Sequence, residues 1–176
     1  MEVPLEKNWV IYEKSKGVKL TPAGRKIAIS IVRRHRIWET FLVQTLEFGW
    51  DKVHNIAEQL EHVNSDELTN RMDKFLGYPK YDPHGDPIPD KNGKMISTKA
   101  LLLVQGEVGK VYKLLGIRED SAEFISYLNK IGLGLGSVIE IRSKEAFDQT
   151  LQLRINRKSI HSCSSKVAIL LNVVAI

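Results

Sequence analysis

The sequence predicts an α+β chain: a short β-hairpin, then a helical unit, then a small β-barrel. Three observations carry this. Between Ile27 and Leu76 apolar residues recur at steps of three and four, the period of helices. Residues 78–98 then hold Pro79, Pro83, Gly85, Pro87, Pro89 and Gly93, which leave no room for regular structure. From Lys99 onward the apolar period falls to two, the period of strands.

Length and composition bound the rest. A chain of 176 residues holds one domain of usual size or two small ones, with enough length for a real core. Apolar content of 43% and charged content of 27% are ordinary globular values. No apolar stretch approaches a membrane span and no signal peptide is read near Glu2 and Glu6, so a cytoplasmic location without membrane attachment is expected. The single cysteine, Cys163, excludes an internal disulfide framework and fits a reducing compartment. The net charge of +5 conceals an asymmetry. Nine Lys/Arg face three Glu from Met1 to Arg36, whereas four Lys/Arg face eleven Asp/Glu from Glu39 to Asp90. A basic front suits a polyanion and an acidic middle suits a cation, although charge runs are also ordinary solvated surface.

Trp9 to Tyr12 are good strand formers, Lys16-Gly17 marks a turn, and Val18 to Leu20 return, which gives the hairpin. Lys14, Lys16 and Lys19 near its tip suit a phosphate backbone, or equally an edge ribbon kept soluble. Thr21-Pro22 is an N-cap followed by a first-turn proline. Ile27, Ile31, His35, Trp38, Leu42 and Leu46 predict the apolar stripe of a long helix ending near Gly49. Ser65 caps a further helix, with Leu68, Met72, Phe75 and Leu76 as its buried side and Gly77 closing it. In the last part, strands are expected at 101–105, 109–115, 137–142, 150–155 and 173–176, around a helix at 121–131.

The segment between these helices carries the chemistry. Read as a helix, residues 51–67 place His54, Glu58, Glu61 and His62 on one broad face and Val53, Ile56, Ala57, Leu60 and Val63 on the other. No Lys or Arg occurs between Val53 and Glu67 to relieve the carboxylates. Oxygens and imidazoles converging without a counter-ion are what a divalent transition metal needs; a solvated acidic face is the plainer reading of the same spacing. His35 with Glu39 one turn on, and Asp82-Pro83-His84-Gly85 in the loop, add further carboxylate–imidazole pairs.

Four stretches, WVIYEKSKGVKLTPAGRKIA (9–28), RRHRIWETFL (33–42), HNIAEQLEHVNSDEL (54–68) and FLGYPKYDPHGDPIP (75–89), resemble the metal-dependent transcriptional repressors related to the diphtheria toxin repressor and the manganese transport regulator. Residues 101–176 resemble the SH3-like, FeoA-type module that ends many members. The resemblance covers nearly the whole chain, and the spacing of RRHR, E-x-x-E-H and P-H-G-x-P-I-P makes it specific. It implies a wing remnant of a winged-helix DNA-binding domain at 1–20, a helical metal-sensing and dimerisation domain at 21–77, a linker at 78–98, and the FeoA-type barrel at 99–176.

The resemblance also implies ligands. A primary regulatory metal would be held by His35, Glu58, Glu61 and His62. A second site would draw on Glu39, His54, Asp82 and His84, together with an acidic residue of the barrel, Glu119 or else Asp120. Iron-responsive members often carry cysteine where this chain has Glu58, so Mn²⁺ is expected, with Fe²⁺ the alternative. The implied partners are a second copy of the chain and, in the full-length protein, a double-stranded DNA operator, with Lys14, Lys16 and Lys19 on the DNA backbone, and the implied output is repression of metal-uptake genes. MEVPLEKNWV resembles the last turn of a recognition helix running into the wing, so most of the DNA-reading unit is expected to be absent, through a late start or a natural truncation. Two rivals follow. One is a metal-binding module that reads no DNA. The other is a metal-dependent hydrolase, since Glu58-x-x-Glu61-His62 is one residue from a zinc-peptidase motif, but no spare base or nucleophile accompanies it.

Overall fold

The computed structural model describes residues 9–13, 17–96 and 100–176. Strands β1 (Val10–Glu13) and β2 (Gly17–Leu20) pair antiparallel, with Val10 opposite Leu20 and Ile11 opposite Lys19. Lys19 is exposed, while Lys14 and Lys16 lie outside the described residues. The Trp9 carbonyl accepts from the Thr21 N–H at 2.9 Å, and a Cβ on the buried Gly24 would collide with that carbonyl. Only glycine lets the hairpin sit this close to the helix that follows.

Helix α1 (Pro22–Gln44) begins as its sequence demands, with Thr21 Oγ1 accepting from the Gly24 N–H at 3.0 Å and Pro22 in the first turn. It ends at Gln44 rather than near Gly49, because Glu47 takes a left-handed φ of 58° and the Phe48 N–H turns back to the Leu42 carbonyl. Helix α2 (Val53–Leu60) is shorter than the expected span of 51–67: the chain tightens after Leu60, with Val63 N–H bonding to the Leu60 carbonyl. Ser65 then caps α3 (Asp66–Phe75) by accepting from the Leu68 N–H at 3.2 Å.

The buried side of α1 differs from the expected stripe. Ile27, Ile31, His35 and Trp38 are half-buried and Leu46 is exposed, while Arg33, Arg34, Ile37, Glu39, Thr40 and Leu42 are buried. The reason is that α1 is covered on more than one side. Ile37 packs with Met72 of α3 and Ile88 of the proline-rich loop, and Leu42 packs with Val53 and Ala57 of α2.

The remaining residues build a six-stranded antiparallel sheet in the order β3-β8-β4-β5-β6-β7. Its strands are β3 (Leu101–Leu102), β4 (Val111–Ile117), β5 (Val138–Lys144), β6 (Leu151–Ile155), β7 (Ser159–Cys163) and β8 (Leu171–Ala175). Helix α4 (Ala122–Lys130) closes one core with Leu114, Ile125, Leu128, Ile139, Ile141, Leu153 and Leu171, all essentially inaccessible. The expected strand at 101–105 stops after Leu102 and becomes a 3₁₀ turn. Strand β7 and the one-turn α5 (Ser165–Ala168) were not expected from the apolar pattern.

One close approach joins the two halves. The Ile117 N–H donates to the His84 carbonyl at 3.0 Å, beside a bulge between Leu114 and Gly116. Gly85, at φ 88°, lies so near that a Cβ would collide with the Leu115 carbonyl oxygen and the Gly116 Cα. Gly85→Ala therefore combines a left-handed backbone with a backbone clash, and is expected to lower unfolding free energy by about 2–3 kcal/mol in a denaturant titration.

Candidate metal centre

The RRHR stretch has a mechanical purpose that periodicity does not reveal. Arg33 Nη2 donates to Asp73 Oδ2 of α3 at 2.7 Å. Arg34 Nε donates to the Glu61 carbonyl at 2.8 Å, where the end of α2 has carbonyls to satisfy, and Nη1 reaches Ser30 and Asn64. Arg36 Nη1 donates to the Pro87 carbonyl at 2.6 Å and Nη2 to Asp86 at 2.9 Å, while Nε stands 3.4 Å from Asp82 Oδ2. Three neighbouring arginines thus hold α3, the end of α2 and the 82–87 loop around one stretch of α1. His35 sits among them.

Glu39, one turn further on, is 2% exposed and lies at the centre of what these contacts assemble. Its Oε1 is 3.0 Å from His35 Nε2 and 3.4 Å from His54 Nδ1; its Oε2 is 3.5 Å from His84 Nδ1. Two trios therefore share this carboxylate: His35, Glu39 and His54, and Glu39, Asp82 and His84, each with donor atoms within 4.8 Å of one another. Metal–ligand bonds of roughly 2.0–2.6 Å put the donors of one ion about 3–5 Å apart, so both trios have the right dimensions. A cavity of about 590 Å³ opens onto them.

The orientation of the imidazoles fits a cation. His54 Nδ1 is buried and faces Glu39 Oε1 at 3.4 Å and Asp120 Oδ2 at 3.2 Å, yet makes no hydrogen bond to any described residue. A buried polar atom left in that state asks for a partner. His84 Nε2–H donates to the Trp50 carbonyl at 2.9 Å, which leaves Nδ1 turned toward Glu39. Trp50 stacks on the His84 ring with centroids 6.0 Å apart, and its Nε1–H donates to Asn129 of α4 at 3.0 Å. The residues present fit a divalent metal with oxygen and imidazole ligands.

Protonation follows from the same geometry. Burial opposes ionisation of Glu39, but the bonds to His35 and His84 outweigh it and hold the carboxyl at about 2. Burial likewise opposes charge on His84, yet its bond to Glu39 and the charge there push it up to about 9; His35 is raised in the same way. Asp82 is pushed up to about 6 by burial and then by the Glu39 charge. Asp82 is also a loop staple, its Oδ1 accepting from the His84 N–H at 2.8 Å and the Asp86 N–H at 3.0 Å.

Not every sequence-predicted donor joins. The expected set of His35, Glu58, Glu61 and His62 is not gathered as one cluster among the described residues. Glu61 Oε2 does lie 2.7 Å from His35 Nδ1, but Glu58, inside α2, and His62, just past its end, are exposed to solvent. At the start of α4, Glu119 lines the cavity, but its Oε1 accepts from the Ser121 N–H at 3.1 Å, whereas Asp120 faces His54. Asp86, which fixes Arg36, carries no signal in the sequence, since the prolines and glycine around it mark a turn and not an ion pair. Asp120→Ala is expected to weaken metal binding at the His54 side by about tenfold and Glu119→Ala by much less, read by titration calorimetry.

The chain is similar to known proteins in sequence and in fold. Residues 21–90 match the family described as iron dependent repressor, metal binding and dimerisation domain, and residues 101–174 match the FeoA domain. The chain is 31% identical over 140 residues to the diphtheria toxin repressor of Corynebacterium efficiens, covering 74% of this chain and 61% of that protein. It is 40% identical over 72 residues to the iron-dependent repressor IdeR of Mycobacterium tuberculosis, or 41% of this chain and 31% of that one. A 75-residue stretch is 44% identical to a Chlamydia trachomatis protein described as "Probable metal transport system membrane protein", covering 43% of this chain and 17% of that one. The chain thus spans under two-thirds of the length of these curated relatives.

Among solved structures, a manganese-dependent transcriptional repressor in complex with manganese superposes with a TM-score of 0.87 at 35% identity, over 97% of this chain and 79% of that one. The manganese regulator SloR superposes at 0.81 and 30% identity, over 96% and 78%. The repressors among these relatives are not enzymes, so the hydrolase reading of Glu58-x-x-Glu61-His62 is set aside. By sequence match and by fold, the chain belongs to the family of metal-dependent transcriptional repressors that includes the diphtheria toxin repressor and its iron- and manganese-dependent counterparts.

Proposed function

We propose that this chain is the sensing part of a metal-responsive transcriptional regulator that represses metal-uptake genes in the cytoplasm, with Mn²⁺ as effector and Fe²⁺ as the alternative. The observation that carries this is the shared, buried Glu39 between two imidazole-bearing trios at the junction of helices, loop and barrel. Metal at such a junction favours the arrangement in which α1, the 82–87 loop and the start of α4 are together, which is how occupancy becomes a shift in domain arrangement. His35, Glu39, His54 and Asp120 would hold one ion, and Glu39, Asp82 and His84 a second. Glu58, Glu61 and His62 would offer a further, solvent-facing position, linked to the first through the Glu61–His35 contact. The ligand shell is oxygen and imidazole with no thiolate, Cys163 being buried in the barrel core, which supports Mn²⁺ or Fe²⁺ over softer ions.

The partners in this reading are a second copy of the chain, through the helical unit, and duplex DNA, with Lys14, Lys16 and Lys19 on the phosphate backbone. No helix among the described residues is long and apolar enough to cross a membrane. The test is Mn²⁺ binding followed by room-temperature EPR in the chain and in His54→Ala and His62→Ala, paired with fluorescence anisotropy of operator-length duplex DNA at about 0.15 M salt. Saturable binding that falls in His54→Ala, with DNA affinity rising when Mn²⁺ is added, is expected. Saturable Mn²⁺ binding with no effect on DNA would favour a second reading, a metal-sensing module that reads no DNA. The stretch shared with the Chlamydia trachomatis transport-system protein favours that reading.

A further inference from the structure

A second cavity, of about 480 Å³, is walled by α1, α3 and the loop from Tyr78 to Asn92, and shares no lining residue with the metal centre. Its charge is net positive, four cations against Asp73 and Asp90. Lys74, Lys80 and Lys91 line it, and none of the three makes an ion pair or side-chain hydrogen bond among the described residues. Each of the two carboxylates in the wall accepts hydrogen bonds at one oxygen. Asp73 Oδ2 accepts from Arg33 Nη2 at 2.7 Å, and Asp90 Oδ1 accepts from the N–H groups of Asn92 and Lys94 at 2.8 and 2.9 Å. Arg33 is only 8% exposed, and its buried Nε has no hydrogen-bond partner among the described residues. The cavity is therefore rich in donors and carries an excess of positive charge.

One side is apolar. Ile88 and Pro89 are buried in the wall, and Tyr78 stands at the rim in a left-handed conformation, φ 59°. Gly77 at φ 74° and the Tyr78 N–H, which bonds to the Asp73 carbonyl at 2.8 Å, close α3 and hold the tyrosine there. A non-glycine residue held in that region is a cost the fold sustains, and such positions gather where a ligand is gripped. The volume falls within the usual range for small-molecule sites and is far larger than a bare oxyanion needs.

We propose that this cavity binds a phosphorylated small molecule, with the phosphoryl group among Lys74, Lys80 and Lys91 and an apolar or aromatic body against Tyr78, Ile88 and Pro89. Lysine ammoniums act as point charges toward phosphoryl oxygens, and three around one cavity sum their fields there. The site is independent of metal, so it stands or falls separately from the sensing function.

The experiment uses the whole chain, stripped of metal and dialysed free of chelator, titrated calorimetrically at fixed ionic strength with inorganic pyrophosphate, adenosine monophosphate and, as uncharged control, adenosine. The comparison variant is Lys80→Glu with Lys91→Glu; both side chains are exposed, and an unchanged Tm checks its fold. Saturable binding of adenosine monophosphate that weakens at least fivefold in the variant, with Mn²⁺ stoichiometry unchanged, is expected. A smaller change, no saturable binding, or binding of adenosine equal to that of its monophosphate overturns the proposal. So does binding confined to random-sequence duplex DNA, which would make the lysines part of a DNA-facing surface.

Discussion

Glu39→Gln is expected to abolish metal binding at both trios together, whereas His54→Ala and His84→Ala each remove one. The reason is geometric: Oε1 faces His35 and His54 while Oε2 faces His84, so a single carboxylate supplies an anionic ligand atom to each side. An amide is neutral and presents an oxygen to one side only. Affinity should fall by about a hundredfold or more at each position, beyond the 10–100-fold typical of losing a supporting residue. Mn²⁺ titration of the three variants separates the outcomes. If Glu39→Gln keeps the wild-type stoichiometry, Glu39 is a structural ion-pair partner and not a shared ligand.

The same substitution acts on the metal-free fold. Glu39 and His84 are almost wholly buried, and removing one member of a buried pair leaves the other charge without compensation, a loss of about 3 kcal/mol or more. In Glu39→Gln the amide oxygen still accepts a hydrogen bond, so the loss should be smaller than in Glu39→Ala. The order wild type, Gln, Ala in Tm of the metal-free proteins, with Gln already defective in metal, would separate the ligand role from the packing role.

Why Glu39 was legible, and other parts were not, has physical causes. His35 and Glu39 lie one helical turn apart, and the D-P-H-G turn brings a second imidazole; local spacing carries that much. Thr21-Pro22 and Ser65 also announce their helices, because caps are local chemistry. What lay outside the sequence is tertiary. Whether Arg33, Arg34 and Arg36 are solvated or buried depends on Asp73, the Glu61 carbonyl and Asp86, each far along the chain. The buried side of α1 departs from its apolar stripe for the same reason: a helix enclosed on several sides can bury charged residues when each finds a partner. Helix α2 stops at Leu60, short of the expected 67, where no glycine or proline marks the end. Strand β7, Ser-Ile-His-Ser-Cys, is an edge strand of polar residues with little alternation to read, and the four-residue α5 is too short to show a period. Asp120 and Glu119 are adjacent and chemically alike, and only the start of α4 decides which of them faces His54.

Metal loading at the His84 side is expected to release about one proton at neutral pH, and the effect of pH on the loaded and metal-free proteins should have opposite signs. A metal takes only the neutral imidazole, but His84 is held protonated up to about 9 by Glu39, so loading near pH 7 must displace that proton. Apparent affinity should therefore rise about tenfold per pH unit from 7 toward 9, and more steeply below the Asp82 value of about 6, where a carboxyl proton must also leave. In the metal-free chain the raised His84 pKa contributes stability that is complete below the ordinary 6.5 and is lost as pH rises through about 9. Raising pH from 6.5 to 8.5 should thus weaken the metal-free fold while strengthening the hold on Mn²⁺. Calorimetric titration in two buffers of different ionisation heat counts the protons, and Tm with and without Mn²⁺ at both pH values tests the signs. Zero protons released, or Tm curves moving in parallel, would mean that His84 keeps its bond to Glu39 in the loaded state and contributes no ligand; His84→Asn would then leave Mn²⁺ affinity intact.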